Sequence, residues 1–452
     1  MPLGETIVSL STPHGESAIA VIRLSGPDCS RLAQECFKES RGLEPRVASL
    51  RHYLSLRGDK IDDVVALYFA DGKSYTGEPM LELSCHGNPF VIQRLMEDLV
   101  ARGCRMAEPG EYTRTAFLNG KLDLAQAEAV ADLISARSER AIEMARRQLD
   151  GALGSRVAEY VDQLLSIQAN IEAYIDFPEE DLPEENEAGP IQDLAKLSTE
   201  FSALIQTANY KESLSEGINT VIAGAPNAGK SSLLNLLVGE DRAIVSAEPG
   251  TTRDYITERI IAGPYTLKIT DTAGIHKASD NTEALGIEKT VQRLSHADLV
   301  LLVIDSADDP PTLPDEALEL IAAEKCLVIE NKTDLAASKD RADYLPELRH
   351  IRVSATSGEG IDGIRKQVVD LLEAHEIVPH PDSLVVNARH ATALYAARDA
   401  VDAARTKLIN GEPTELAGSD MRMAVDALEQ IVGEIDNEAM LDRLFSAFCI
   451  GK

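Results

Sequence analysis

Over the first 120 residues short apolar runs alternate with turn signals: residues 19–24 lead into Ser25-Gly26-Pro27, and residues 64–69 lead into Asp71-Gly72. Runs of this length bounded by glycine and proline predict strands interleaved with helices, a compact α+β domain over residues 1–120. After Lys121 the period changes. Val157, Val161, Leu164, Ile167, Ile171 and Ile175 recur at three- and four-residue steps, which places them on one face of a long helix. Phe177-Pro178 and the acidic stretch 179–187, with Pro183 inside it, break the pattern, and a second helical stretch runs over about 191–212.

At Gly217 the texture changes again. Thr220-Val221-Ile222-Ala223 runs into a glycine-rich turn, and strand candidates recur at 267–269, 299–304, 326–329 and 351–353 with helical patterns between them. That alternation predicts a parallel sheet with helices on both faces. Beyond about Pro379 the chain returns to helix, and Leu441, Leu444, Phe445 and Phe448 form a last apolar face. The economical reading is α/β plus all-α: an N-terminal α+β domain (1–120), a discontinuous helical domain (121–214 and 377–452), and a doubly wound nucleotide-binding domain (215–376) inserted into it.

Composition fits this multidomain picture. A chain of 452 residues exceeds what one hydrophobic core organises, and 44% hydrophobic with 26% charged residues is the balance of a soluble globular protein. The net charge of -31 repels nucleic acid at long range, so any RNA surface needs positive charge from elsewhere. Cys29, Cys36, Cys85, Cys104, Cys326 and Cys449 show neither metal-ligand spacing nor a disulfide framework, which fits a reducing cytoplasm. No basic leader and no membrane-length apolar run is seen, and a cytoplasmic location is expected.

The chemistry concentrates at Gly224-Ala225-Pro226-Asn227-Ala228-Gly229-Lys230-Ser231, between a strand and an apolar helix. Glycines there let backbone N–H groups converge on phosphate oxygens, Lys230 reaches the β- and γ-phosphates, and the Ser231 hydroxyl ligates Mg²⁺. Ser232 follows in the same helical turn. Asp271-Thr272-Ala273-Gly274 leaves the next strand beside the phosphates, where Asp271 holds the Mg²⁺ shell through water and Gly274 makes room for the γ-phosphate. Asn331-Lys332-Thr333-Asp334 places a carboxylate to accept from the ring N–H and amine of guanine, a donor pair that adenine lacks. Ser354-Ala355-Thr356 after the next strand is placed to back the base with main-chain N–H groups. Gly250-Thr251-Thr252-Arg253-Asp254 occupies the place of a loop that orders around Mg²⁺ and γ-phosphate, with Thr252 preferred over Thr251 as the second Mg²⁺ hydroxyl.

Two features of hydrolysis stand out. The position after Gly274 is Ile275, where small signalling GTPases keep a water-orienting glutamine, so His276 or Glu283 downstream is left for that task. The Asn227 amide oxygen lies where a monovalent cation would neutralise charge on the leaving group; the alternative is a loop-bracing hydrogen bond.

Residues 225–233, Gly250-Thr251-Thr252-Arg253-Asp254 and the terminal Cys449-Ile450-Gly451-Lys452 together resemble the family of tRNA uridine-5-carboxymethylaminomethyl modification GTPases, MnmE or TrmE, within the TrmE-Era-EngA-like class. Residues 18–26, Tyr75-Thr76-Gly77-Glu78, Glu108-Pro109-Gly110-Glu111 and 122–128 extend the resemblance over essentially the whole chain. The pattern departs at Ala225, often arginine, and at Asn88, where a second glycine is common. The resemblance implies a Ras-like GTPase domain activated by K⁺, with Asn227, Ser246, Glu248 and Thr251 as ligands when two such domains meet. It implies Glu283 as the water-orienting glutamate, beside Lys230 and Asn227 as catalytic groups. It also implies formyl-tetrahydrofolate bound by Arg23, Glu82, Lys121 and Lys452 in a folate-binding, dimer-forming first domain. Cys449, in the terminal motif after an amphipathic helix, is a candidate catalytic thiol, the alternative being a structural tail that lines the folate pocket. The expected assembly is a homodimer that pairs with the FAD-bearing subunit MnmG as a heterotetramer and acts on wobble uridine of certain tRNAs. The rival reading is a non-modifying switch GTPase of ribosome or RNA assembly, although no basic RNA-binding module is found.

Overall fold

The computed structural model describes residues 4–38, 42–176, 189–241, 258–269, 292, 294–321, 323–335, 337–380, 382–433, 438–446 and 448–451. The chain divides into two compact units: Met1–Ala131 with Gly154–Val157 and Glu429–Lys452, and Asp132–Leu153 with Ala158–Leu428.

The first unit is built on a six-stranded sheet of β1 (Ile7–Leu10), β2 (Ser17–Ser25), β3 (Ser49–Leu54), β4 (Lys60–Phe69), β5 (Met80–Gly87) and β6 (Arg105–Met106), in the order β3-β4-β5-β2-β1-β6. Strand periodicity sends Ala20, Ile22 and Leu24, Val64 and Ala66, and Leu81, Leu83 and Cys85 to one face, where they are buried with Leu95 and Leu99 of the helix Pro89–Ala101. Alternate residues of β2 and β5 face the other way, and the register sets Arg23 opposite Glu82. The terminal apolar face forms as expected: Leu441, Phe445 and Phe448 are buried with Leu124 and Ala127. Gly110, at a φ of 67°, permits that approach, since a Cβ there would stand 2.6 Å from the Phe445 carbonyl oxygen.

The second unit holds helices Gly189–Gln206 and Ala388–Ile409, most of the helices Ala152–Asp176 and Thr414–Val432, and a second sheet. Tyr160 and Phe201 meet edge to face with centroids 4.9 Å apart. The expected single helix over 191–212 is interrupted: it ends at Gln206, passes through a 3-10 turn at Thr207–Asn209 and restarts as Tyr210–Glu216. The Thr207 hydroxyl explains the break, donating to the Leu204 carbonyl at 2.6 Å and accepting from the Val386 N–H at 3.2 Å.

This sheet contains β7 (Ile218–Ala223), β8 (Glu258–Ala262), β9 (Tyr265–Ile269), β10 (Leu299–Asp305), β11 (Cys326–Asn331) and β12 (Arg349–Arg352), ordered β12-β11-β10-β7-β9-β8. All neighbours are parallel except β8 and β9. β10 and β11 are buried along nearly their whole length, the mark of strands covered on both faces. The chain moves to one side of β7 for β8 and β9, then crosses to the other for β10 to β12. The carboxyl end of β7 is therefore a switch point, where open α/β sheets bind ligands.

Candidate guanine-nucleotide site

The loop leaving β7 is shaped by backbone conformations that few residue types tolerate. Gly224 has a φ of 140°, and a Cβ there would meet the Val303 carbonyl oxygen of β10 at 2.0 Å. Gly229 has a φ of 94°, and its Cβ would meet Asn331 Nδ2 at 2.1 Å. Between them Asn227 takes a left-handed φ of 64°, which asparagine tolerates better than most residues, and its side chain is exposed. The helix Lys230–Asp241 then begins, its first turn carrying Lys230 with the exposed Ser231 and Ser232. Lys230 Nζ donates to the carbonyl oxygens of Gly224 at 2.8 Å and Ala225 at 2.7 Å, so the ammonium is held inside the loop curve. Burial presses the Lys230 pKa below the ordinary lysine value. A concave loop with a helix N-terminus and a desolvated ammonium is a fitting cradle for phosphate.

The loop expected to read the base leaves β11 two strands away. Asn331 is buried; its Nδ2 donates to the Ala228 carbonyl at 2.9 Å and its Oδ1 accepts from the Ala355 N–H at 2.9 Å. Asp334 is exposed, and its Oδ1 accepts from the buried Ser354 hydroxyl at 2.6 Å, which orients the carboxylate. The N–H groups of Ser354 and Ala355 are engaged with Glu359 and Asn331. Lys332 takes a φ of 65° and its Nζ reaches Asp305 Oδ2 at 2.5 Å. Sequence reasoning misses Asp305, although an acidic residue ending an apolar strand at the ligand-binding edge is a readable signal. Burial alone would raise its pKa, but the hydrogen bonds from Lys332 and from the Ala307 and Asp308 N–H groups outweigh that and hold it below the ordinary value.

The structure thus assembles Asn227, Ala228, Gly229, Lys230 and Ser231 with Asn331, Lys332, Asp334, Ser354 and Ala355 along the carboxyl edge of one sheet. Ser246, Glu248, Thr251, Thr252, Asp271, Thr272, Ala273, Gly274, Ile275, His276 and Glu283 lie outside the described residues.

The other candidate cluster lies on the first unit. Arg23 meets Glu82 Oε1 at 2.9 Å, and its Nη1 donates to the Gly451 carbonyl at 3.4 Å. Tyr112, which no sequence signal singles out, donates through its hydroxyl to the Arg23 carbonyl at 2.7 Å and lies under its guanidinium, 5.8 Å from the ring centroid. Lys121 is exposed and donates to the Gly72 carbonyl at 2.9 Å, beside the loop whose Tyr75 hydroxyl meets Thr113 at 3.0 Å. The exposed Cys449 enters this region through its backbone, its carbonyl accepting from the Gly110 N–H at 3.4 Å. Lys452 is outside the described residues.

Comparison with known proteins finds similarity along the whole chain. The model of the GTP-binding protein TrmE N-terminus matches residues 6–121, and that of the MnmE helical domain matches 124–449. A tRNA modification GTPase MnmE of Opitutus terrae is 46% identical over 100% of both chains. Its namesake from Akkermansia muciniphila is 40% identical over 99% of each, and that from Aquifex aeolicus 38% identical over 99% of this chain and 100% of its own. A solved G domain of the T. maritima FeoB iron transporter is 26% identical over 34% of this chain and 98% of its own, with a TM-score of 0.25.

Proposed function

The chain belongs to the MnmE (TrmE) family of tRNA modification GTPases, and from that premise we propose that it hydrolyses GTP to drive modification of wobble uridine in tRNA. The observation that carries this reading is full-length similarity to proteins of that name, joined to a glycine loop holding Lys230 and an exposed Asp334 carboxylate along one sheet edge. A non-modifying switch GTPase would need neither a TrmE-type N-terminal domain nor the returning C-terminal tail.

Within this reading Lys230 binds the β- and γ-phosphates, Asp334 selects guanine, and Glu283 orients the attacking water. Ser231 and Thr252 are assigned to Mg²⁺, which supplies neutralisation of the phosphate charge. Asn227, Ser246, Glu248 and Thr251 are assigned to K⁺, which supplies positive charge toward the leaving group; the exposed Asn227 side chain on a left-handed backbone supports its part in this. Arg23, Glu82, Lys121 and Lys452 are assigned to a formyl-tetrahydrofolate. Their types suit it, since Glu82 can accept from a pterin's amine and ring N–H while the cations pair with carboxylates. The working form is a cytoplasmic homodimer of the three domains expected from sequence, joined to the FAD-bearing subunit MnmG. The acidic charge favours a division of labour in which much of the tRNA surface lies on that partner.

GTP turnover by the purified protein in potassium and in sodium tests the catalytic part. Faster turnover in potassium, and a drop of roughly two orders of magnitude for Asn227→Ala, is expected. Equal rates in both salts would remove the cation from the account.

A further inference from the structure

Sheet order constrains where a bound nucleotide must run. The phosphate cradle is at the end of β7 and the guanine-reading loop at the end of β11; β10 is the strand between them. A nucleotide with its phosphates on one and its base on the other therefore crosses the carboxyl end of β10. The residue that ends β10 is Asp305.

A carboxylate on that path is unfavourable to an anionic ligand unless it is neutralised. Asp305 is neutralised by Lys332: Oδ2 and Nζ are 2.5 Å apart, with side-chain exposures of 13% for the aspartate and 30% for the lysine. Asp305 is also held from its own side, since Oδ1 accepts from the Ala307 N–H at 2.9 Å. The lysine starts from a left-handed backbone position between Asn331, which braces the phosphate loop, and Asp334, which faces the base. Its methylene stem thus runs from the base loop back toward β10, along the strip that the nucleotide must cross.

We propose that Asp305 is a positioning residue of the guanine site: by fixing the Lys332 ammonium at the end of β10, it holds the lysine stem as a wall of the base slot. This deepens the GTP reading above and rests on it. The wall touches the face of a purine rather than its edge, so its contribution is the same for guanine and for hypoxanthine, which lacks the exocyclic amine. Edge recognition stays with Asp334.

The test measures affinities of the full-length protein for fluorescent GDP, IDP and ADP analogues, comparing wild type with Asp305→Ala and Asp305→Asn, and records melting temperatures without nucleotide. Asp305→Ala is expected to weaken GDP and IDP alike by about tenfold, equivalent to about 1.4 kcal/mol, with Asp305→Asn intermediate. Turnover at saturating GTP should stay within about twofold, so the loss falls on KM. Wild-type protein that does not prefer GDP to ADP would defeat the guanine-site reading itself. Unchanged or tighter GDP binding by both variants would overturn the positioning role, tighter binding meaning that the freed ammonium serves phosphate better. Loss of GDP without loss of IDP would also overturn it by moving the effect to Asp334, as would a large fall in melting temperature for both variants.

Discussion

The side-chain amide of Asn331 donates to the Ala228 carbonyl at 2.9 Å, so one buried residue ties the loop proposed to read the base to the loop proposed to hold the phosphates. Its oxygen is also used, by the Ala355 N–H. Replacing Asn331 by Ala leaves a carbonyl and an N–H without their partner, at a cost of about 1–3 kcal/mol each if water cannot reach them. A lower melting temperature without nucleotide and weaker GDP binding are both expected, read by calorimetry and fluorescence titration.

Glycine positions in this region should respond oppositely to one methyl group. Gly229→Ala places a Cβ 2.1 Å from Asn331 Nδ2 on a backbone at a φ of 94°, and should abolish nucleotide binding. Gly239 lies in the following helix, where an added methyl would find nothing within 4 Å, and Gly239→Ala should stabilise by about 0.5–1 kcal/mol. Paired melting curves of the two variants check this.

Asp334→Asn exchanges a carboxylate that accepts twice for an amide that can also donate. GTP affinity should fall by roughly 3–6 kcal/mol, two hydrogen bonds to a charged group. Xanthosine triphosphate, with a carbonyl in place of the amine, should bind the variant better than GTP does. Competition titrations with the two triphosphates measure the exchange.

Lys230 gives a pH dependence with a definite sign. Burial holds its pKa below the ordinary 10.5 in the free protein, and bound phosphate favours the ammonium. Nucleotide binding should therefore take up protons in the alkaline range below 10.5, and affinity should fall as pH rises through the free-state pKa. Calorimetry in two buffers of different ionisation enthalpy reads the uptake directly, and Lys230→Met should abolish it.

Arg140 anchors the helix Glu139–Leu149 to the hairpin of β8 and β9. Its N–H donates to the Pro264 carbonyl at 3.1 Å, and its buried guanidinium reaches Glu143 at 2.7 Å and the Pro379 carbonyl at 3.5 Å. Arg140→Ala should lower stability by about 1–3 kcal/mol while leaving GDP affinity unchanged. Loss of GDP binding in step with stability would contradict that separation.

Much of the proposed nucleotide site is legible in the sequence because its residues sit in contiguous motifs at strand ends. The strands expected at 220–223, 267–269, 299–304 and 326–329 form within β7, β9, β10 and β11. The last strand, expected at 351–353, forms at Arg349–Arg352, since the polar Arg349 and His350 hide a strand whose pairing with β11 comes from tertiary context. What sequence cannot show depends on distant partners. Asp305 gains its role only when Lys332, 27 positions away, folds back onto it. The return of Gly451 to Arg23, 428 positions away, has no local signal; only the family resemblance points to it.

Nucleoside analysis of tRNA tests the central claim most directly. In a strain lacking this protein, wild type should restore the 5-carboxymethylaminomethyl group on wobble uridine, and Lys230→Ala should not. Wobble uridines identical with and without the protein would contradict the account.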